Sequence, residues 1–504
     1  MSETVTLSIN DREYTVPAGS RLIDVLGDRA GLEIPRFCYH RDLPVVGSCR
    51  MCQVEIEATG PGGIQRRALA ISCRTPVAQG MKVWTHTEPA VKARQGVLEF
   101  LLKDHPLDCP ICDKAGECPL QDYTFQEGQR EGRSHDPRRK REKRKSLGEV
   151  IVLDQERCVL CTRCVRFFPA VDGSDQLQVQ GLGNRSVIDT FEGRPLSGNY
   201  QGNLADICPV GALTLKKFRF QARSWNLQPV PSTCVRCSRG CAVLLDAYRG
   251  RIVRVRPRYD ARVNKSWMCD YGRFGFDDLN LPGRLGTALL GPPEAPRALA
   301  VEEGLETARE WLRAAGEEAF LLASPFLTLE EAEAFREMAG AFGARAFFLA
   351  PELGGGDGVL KTDDPCPNRL GLQEAGLDGL DPQEARERLA AAPLAFLAGQ
   401  YVLHLLHGVD TTETAPEFPP LETRGRTILL DTHLRDGFEL LLPARTWAEK
   451  HGRVLNLDGL ERVLRPALAP PEGIPEASTL FHRIALLDRP EGPVPEGSAA
   501  GIPV

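Results

Sequence analysis

Fifteen of the chain's 16 cysteines fall between Cys38 and Cys269, and the last 235 residues hold only Cys366. The first residues, Met1 to Asn10, lack the basic start and apolar core of a secretion signal. Thiols clustered this way on a long chain without such a signal point to metal binding rather than to disulfides. They fall into four groups. Cys38, Cys49, Cys52 and Cys73 are spaced C-x10-C-x2-C-x20-C, and His105, Cys109, Cys112 and Cys118 are spaced H-x3-C-x2-C-x5-C. Cys158, Cys161 and Cys164 form C-x2-C-x2-C and are followed at a distance by Cys208-Pro209. Cys234, Cys237, Cys241 and Cys269 are spaced C-x2-C-x3-C-x27-C. With His105 counted, this makes four complete sets of four ligands, and Cys366 alone stands outside.

The spacing bears on which metal each set takes. A structural zinc site draws its tetrahedral ligands as two separated pairs. A C-x2-C-x2-C run instead places three thiolates on one tight loop, which suits three corners of a cubane. In two-cluster ferredoxins the cysteine before proline serves the other cluster. Here that local position is Phe168 before Pro169, whereas the distant Cys208-Pro209 is kept. The expectation is a ferredoxin fold that retains one [4Fe–4S] cluster on Cys158, Cys161, Cys164 and Cys208. The first group has a longer first gap than the plant C-x4-C-x2-C pattern. Its setting favours [2Fe–2S], with a zinc clasp as the alternative. In the second group three thiolates lack a fourth donor, which singles out His105. An imidazole there would remove one negative charge and raise the potential. The fourth group could hold zinc, but its neighbours favour iron. Arg50, Arg157, Arg163 and Arg166 abut these ligands, either as solvated charges or as cations that tune the clusters.

The remaining pattern places these loops on folded elements. Val5, Leu7 and Ile9 alternate, Asn10-Asp11 turns, and Tyr14 and Val16 alternate again. Ser20 is expected to cap a helix with Leu22, Val25 and Leu26 inward. A strand pair, a helix and a cysteine-bearing loop suit a β-grasp domain. Glu88 to Lys103 reads as a helix with Val91, Leu98, Leu101 and Leu102 inward. Arg130 to Lys145 holds nine basic and three acidic residues, read as a solvated linker or a docking surface for an acidic partner. Beyond Cys269, the strand Ala319–Ser324, a helix capped by Thr328 and ended by Gly343, and the strand Arg345–Ala350 make a βαβ unit, hence a parallel sheet. Leu394–Ala398 and Thr427–Asp431 are further strands. No G-x-G-x-x-G or P-loop follows a strand, so no nucleotide or flavin site is expected. The Pro- and Gly-rich tail from Pro470 is expected to order only by docking. At 504 residues the chain is too long for one core. Its net charge of −6 gives no sign of global nucleic-acid binding, and no apolar run is long enough to span a bilayer.

Certain segments resemble one family, the large (75-kDa-type) iron–sulfur subunit of bacterial respiratory complex I, the NADH–quinone oxidoreductase. They are Pro35-Arg36-Phe37-Cys38, Gly47-Ser48-Cys49-Arg50-Met51-Cys52, His105-Pro106-Leu107-Asp108-Cys109-Pro110-Ile111-Cys112, Asp154-Gln155-Glu156-Arg157-Cys158 and Asp206-Ile207-Cys208-Pro209-Val210-Gly211-Ala212. The resemblance implies a [2Fe–2S] cluster on the first group and [4Fe–4S] clusters on the other three, with His105 a ligand and no catalytic acid, base or nucleophile. Electrons would come from the flavin-bearing subunit, which with a small [2Fe–2S] subunit and quinone-side subunits would be the partners. They would cross the first, third and second groups in turn, the fourth lying off the main route. The subunit would be peripheral, on the cytoplasmic side of the inner membrane. The expected domains are β-grasp [2Fe–2S] over 1–86, the His/Cys3 segment with the basic linker over 87–145, and a [4Fe–4S] ferredoxin-like domain over 146–225. A small [4Fe–4S] domain of molybdopterin-oxidoreductase type over 226–282 and an α/β domain over 283–504 would follow. Pro367-Asn368-Arg369-Leu370-Gly371-Leu372 and Ala448-Glu449-Lys450-His451-Gly452-Arg453-Val454-Leu455-Asn456 resemble a molybdopterin-oxidoreductase fold, shortened so far that no molybdopterin is expected and Cys366 reads as a structural thiol. The alternatives are the electron-transfer arm of a soluble NAD-linked hydrogenase or formate dehydrogenase, and a zinc-stabilised scaffold.

Overall fold

In the computed structural model, which describes residues 3–59, 65–292, 295–414 and 416–486, the first two strands pair as the alternation requires. Strand β1 (Thr4–Ile9) runs antiparallel to β2 (Arg12–Pro17). Asn10 and Asp11 turn between them with φ of +46° and +65°, the left-handed pair that a tight hairpin demands. Leu22, Val25 and Leu26 of α1 (Leu22–Asp28) are buried. Ser20 does not cap this helix. Its hydroxyl donates to the Pro17 carbonyl, and the Leu22 amide is satisfied by the Thr75 carbonyl at 2.9 Å instead. β3 (Gln53–Thr59), β4 (Gln65–Ile71) and β5 (Lys82–Trp84) complete a five-stranded sheet ordered β2-β1-β5-β3-β4.

Helix α2 (Glu88–Asp104) forms where expected, but of its four proposed inward residues only Leu98 is fully buried. The centre of the buried face is Arg94, 1% exposed. Its guanidinium donates to the carbonyls of Gln53 and Thr85, both at 2.9 Å, and pairs with Glu127 of α3 (Pro119–Glu127). A charge is stable there because main-chain oxygens and a carboxylate replace its water. The basic stretch after α3 is largely internal wiring. Arg133 pairs with Glu99 and Arg139 with Asp104, both on α2, while Lys143 reaches Asp108, Asp154 and Glu156. Lys145 pairs with Asp189.

A small antiparallel sheet, β10-β7-β6, follows. It is formed by β6 (Lys145–Ser146), β7 (Ile151–Leu153) and β10 (Leu213–Leu215). Between β7 and β10 lie α4 (Arg163–Val171), the hairpin β8 (Gln178–Gln180) with β9 (Val187–Asp189), and α5 (Asn203–Ile207). This closes the first of two compact units, Met1–Leu227 and Gln228–Val504.

The second unit opens with a three-stranded antiparallel sheet, β11 (Gln228–Thr233), β12 (Ala242–Tyr248) and β13 (Arg251–Pro257), then α6 (Asp270–Phe274). Its α/β part contains β14 (Ala288–Leu290), β15 (Arg297–Leu299), α7 (Val301–Ala315), β16 (Phe320–Ala323), α8 (Leu329–Ala341), β17 (Arg345–Leu349) and α9 (Arg369–Glu374). It continues with β18 (Asp378–Leu380), α10 (Pro382–Ala391), β19 (Leu394–Ala398), α11 (Val402–Leu406), β20 (Arg426–Asp431) and β21 (Leu440–Pro443). These strands make an eight-stranded sheet, ordered β15-β14-β21-β20-β19-β16-β17-β18, parallel from β21 to β18. Its two faces follow from strand alternation. Leu321, Phe348, Phe396 and Ile428 meet residues of α7 and α8, whereas Leu322, Leu397 and Leu429 belong to the core on the other face.

Thr328 caps α8 in a full capping box with Glu331. The Glu331 carboxylate also receives the buried Lys450 ammonium at 2.6 Å. A hairpin of β22 (Gly452–Leu455) and β23 (Glu461–Leu464) follows. The tail is ordered by docking, in the form of a helix not anticipated from the sequence: α12 (Ala477–Ala485) buries Ala477, Leu480, Phe481 and Ile484. Phe481 packs on Phe335 and Phe396, at 5.0 and 6.3 Å between ring centres. The i, i+3, i+4, i+7 spacing behind this was present in the sequence but obscured by the surrounding prolines. Residues 487–504 lie outside the described residues. Among the described residues no helix is long and apolar enough to cross a membrane.

Arg94→Ala is expected to destabilise the first unit by about 3–5 kcal/mol by leaving Glu127 and two carbonyls unpaired. Hydrogen exchange of α2 and β5 measures this, and Glu127→Gln should show a smaller loss of protection.

Candidate metal centres

All 15 cysteines of the four groups are free of disulfides, and 12 of them are fully buried. In the first group, Cys38 lies on the loop after α1, Cys49 and Cys52 lead into β3, and Cys73 sits on the single turn after β4 (Ser72–Arg74). The Cys38 amide reaches the Cys49 sulfur at 3.4 Å. Cys49 and Cys73 donate to the Cys38 thiolate and hold its pKa well below the usual thiol range, at the expense of their own, which rise. Cys52 is lowered to about 7, chiefly by the Cys73 thiol. The four sulfurs, drawn from three segments, therefore perturb one another's ionisation through hydrogen bonds. That is the chemistry of a ligand set that must end as thiolates.

The third group surrounds a cavity lined by Cys158, Cys161, Cys164 and Cys208 with Leu153 and Val210. Leu160 and Thr162 take φ of +52° and +57°, in the left-handed region. Such non-glycine residues cost about 1–3 kcal/mol each, and here they alternate with the thiols on the tight loop. Cys208 arrives from the end of α5. Burial raises Cys158 to about 12 and Cys161 to about 11, and drives Cys164 well above the usual thiol range. Thiols so far from water ionise only against a cationic guest, which is what this donor set fits.

In the second group, His105 follows the last residue of α2, Cys109 starts a single turn (Cys109–Ile111), and Cys118 precedes α3. Asp108 and Arg157 act on both His105 and Cys112, so imidazole and thiol share one neighbourhood. Burial lowers His105 to about 4, leaving a neutral ring with a lone pair to offer at pH 7. Burial also raises Cys118 to about 11.

The fourth group occupies the β11–β12 connection, with Cys269 capping α6 through the Gly272 amide at 3.3 Å. The Cys234 amide donates to the Cys241 carbonyl at 2.9 Å. Burial raises Cys234 to about 12 and pushes Cys241 and Cys269 further up. The C-terminal hairpin and the loop before α9 grip this connection. Leu457 donates to the Ser238 carbonyl at 2.8 Å, Arg462 to that of Gly240 at 3.0 Å, Asn456 to that of Arg239 at 3.2 Å, and Ser238 to that of Asp364 at 3.0 Å. Asn368 joins the two segments that resemble the molybdopterin fold, accepting from the Leu455 amide at 2.8 Å. Cys366 is fully buried and lies 3.6 Å from the Arg369 guanidinium. Among the described residues no three His, Cys, Asp or Glu side chains stand as the ligands of one metal ion.

The arginines differ in their work. Arg50 is exposed. Arg166 donates to the Cys38 carbonyl at 2.5 Å and the Cys161 carbonyl at 3.3 Å, so it spans the first and third groups. Arg163 donates to the carbonyls of Tyr39 and Ile207 at 2.6 and 3.1 Å, along the same seam. Arg157, beside Cys158, makes a two-pronged bond to Asp108 beside Cys109, at 2.7 and 3.1 Å. The Cys118 thiol meets the Pro209 carbonyl at 3.8 Å. The third group is thus tied to the first on one side and to the second on the other.

Two glycines and one arginine escaped sequence reasoning. A Cβ on Gly211 would stand 2.2 Å from the Cys112 sulfur, and one on Gly272 would stand 2.9 Å from that of Cys234. Arg236, between Cys234 and Cys237, is fully buried. It donates to Thr411 and Asp278 at 2.6 and 2.9 Å and lies 4.9 Å over the Tyr401 ring. Its position between two ligands was the one available signal.

Comparison with known proteins accords with this geometry. Residues 2–88 match the family of the 2Fe-2S iron-sulfur cluster binding domain, and 94–133 match the NADH-ubiquinone oxidoreductase-G iron-sulfur binding region. Residues 148–214 match the ferredoxin-like domain of NADH-quinone oxidoreductase subunit 3, and 227–281 the molybdopterin oxidoreductase Fe4S4 domain. The cluster-bearing part of the chain belongs to the family of the large iron–sulfur subunit of NADH-quinone oxidoreductase. The G-type subunit of this enzyme from Streptomyces coelicolor is 41% identical over 67% of this chain and 39% of its own length. The NADH-quinone oxidoreductase subunit 3 of Thermus thermophilus is 39% identical over 67% of this chain and 46% of its own length. The NADH-ubiquinone oxidoreductase 75 kDa subunit of Reclinomonas americana is 42% identical over 55% and 38%. The chain thus spans less than half the length of these relatives. A crystal structure of an NAD+-reducing [NiFe]-hydrogenase aligns with 43% of this chain at 29% identity and a TM-score of 0.37, a likeness too loose to bear on the fold.

Gly211→Ala is expected to push the Cys112 sulfur away and to abolish the low-temperature EPR signal of the second group, leaving the first group's signal intact.

Proposed function

We propose that this chain is an electron-carrying subunit of an NADH:quinone oxidoreductase, taking electrons from a flavin-bearing subunit and passing them toward quinone, with proton translocation coupled in the whole complex. The observation that carries this reading is the closure of the ligand sets in space, where Cys73 meets Cys38, Cys208 meets Cys158–Cys164, and Cys269 meets Cys234–Cys241. When bound, a [2Fe–2S] cluster on the first set and [4Fe–4S] clusters on the others would supply reversible one-electron chemistry.

The chain's own residues do the rest. Buried thiols keep the sets from water. His105 is the neutral donor of the second set. Arg166 and Arg157 hold the third set between the other two, which supports the sequence of passage first, third, second. The fourth set is gripped by the α/β domain, for which the reading is a scaffold without molybdopterin. In this reading NADH, flavin and quinone are bound by partner subunits, namely a flavoprotein, a small [2Fe–2S] subunit and quinone-side subunits, and the chain attaches at the cytoplasmic face of the inner membrane only through them.

Anaerobically purified protein is expected to carry about 14 iron atoms, from one two-iron and three four-iron clusters, to bleach with dithionite and to leave NADH unoxidised. Zinc equal to or above iron would reject the reading in favour of a zinc scaffold, and molybdenum would revive a formate-dehydrogenase role. Cys161→Ser should arrest NADH-to-quinone transfer in the assembled complex, whereas Cys237→Ser should remove the fourth cluster with a milder kinetic loss. Unchanged turnover in Cys161→Ser would contradict the placement of the third group on the route.

A further inference from the structure

Outside the ligand sets, the first unit carries one hollow whose charge is unbalanced. A cavity of about 320 Å³ is lined by Asp108, Asp154, Lys143, Arg144, Arg157, Arg219 and Arg223, with Pro110, Ile111 and Phe220. Five cations thus face two carboxylates, and both carboxylates are already engaged. Asp108 accepts from Arg157 and Lys143, and Asp154 lies 3.4 Å from each of the same two. Arg223 is spent on main chain, donating to the Cys112 carbonyl at 2.8 Å and also to that of Pro110. Arg144 and Arg219 form no ion pair among the described residues. The Arg219 guanidinium lies 4.7 Å over the Phe220 ring, and its Nε is buried without an acceptor. Burial and the neighbouring Arg157 and Arg144 lower its pKa, against the pull of Asp113 and Asp154.

Exposed apolar side chains adjoin this hollow. Ile111 and Phe220 of its lining are 62% and 61% exposed, and Trp225, 64% exposed, lies 5.7 Å from the lining Arg223 guanidinium. Large apolar side chains left in water around unpaired guanidinium groups are the features of a protein interface, whose cores favour aromatic residues and arginine. A small anion would answer the charge and leave the rings wet. A carboxylate carried between apolar side chains answers both.

We propose that this hollow is a docking site for a protein partner that inserts an Asp or Glu side chain toward Arg219 and Arg144 and covers Ile111, Phe220 and Trp225 with apolar residues. The inference rests on the electron-carrying reading in one respect, because it makes the partner one that exchanges electrons with the second group. The hollow's wall includes Pro110 and Ile111 of the Cys109–Cys112 turn, and Arg223 holds that turn in place, so a partner seated there abuts the second set directly.

The test uses the full chain in the assembled membrane complex. A photo-crosslinking amino acid at Phe220 is expected to join one peripheral-arm subunit at a segment bearing Asp or Glu. Arg219→Glu should lower retention of the chain in the complex at least tenfold, more so at raised salt, with wild-type iron content and EPR signals. Reversing the crosslinked carboxylate to Arg should restore retention. Arg219→Gln, which keeps size and removes only charge, should give a smaller loss of the same kind. Wild-type retention of both Arg219 variants would overturn the proposal. So would saturable binding of inorganic phosphate that Arg219→Glu abolishes without changing retention, which would assign the hollow to a small anion. Loss of iron in the wild-type protein would instead defeat the electron-carrying reading, and retention would still report on docking.

Discussion

A thiol removed from water resists ionisation, yet a ligand sulfur must be a thiolate, and most of this architecture answers that conflict. The third and fourth sets are buried enough that Cys158, Cys161, Cys164, Cys234, Cys241 and Cys269 all have raised pKa values. Only guests carrying positive charge reconcile such sulfurs with their surroundings. The first set eases the conflict differently, because hydrogen bonds from the neighbouring Cys49 and Cys73 thiols hold the Cys38 pKa below the usual thiol range. In the reading proposed for the second, the neutral imidazole of His105 takes the place of one sulfur and lowers the charge to be balanced. One problem of desolvation is met by three local chemistries in one chain.

The cationic side chains between sets belong to the same logic. Arg166 and Arg157 act on nearby thiols through their charge, but their hydrogen bonds go elsewhere. They bind the carbonyls and the carboxylate of neighbouring ligand loops, which fixes the loops to one another while leaving the thiols to their guests. A guanidinium is suited to this because its planar fork engages several acceptors at once and keeps its charge when buried.

The cluster-binding character was legible in the sequence because cysteine is the usual ligand of such centres and its spacing limits the loops that carry it. The hairpin turn at Asn10-Asp11, the capped helix after Thr328 and the parallel strands were legible for similar reasons, each resting on a local rule. What escaped depended on distant atoms. Neither Arg94 nor Arg236 stands out in the sequence, and each is explained only by the carbonyls of Gln53, Thr85 and Thr411 around it. Gly211 shows its purpose only with the Cys112 sulfur against it. Ser20 lost its capping role to the Thr75 carbonyl from another element, and the helix at Ala477–Ala485 was hidden by the prolines on either side.

The grip of the C-terminal hairpin on the fourth set has a consequence for biogenesis. Domains fold largely as they leave the ribosome, N-terminal first. Every ligand of the first three sets, and the strand β10 that seats Cys208, has been synthesised by Leu215. The fourth loop, although its last cysteine is Cys269, gains a support at Asp364 and its last ones only when Asn456, Leu457 and Arg462 emerge nearly 200 residues after that cysteine. Three sites can therefore mature early on the nascent polypeptide, while the fourth is fully enclosed only when translation is nearly finished.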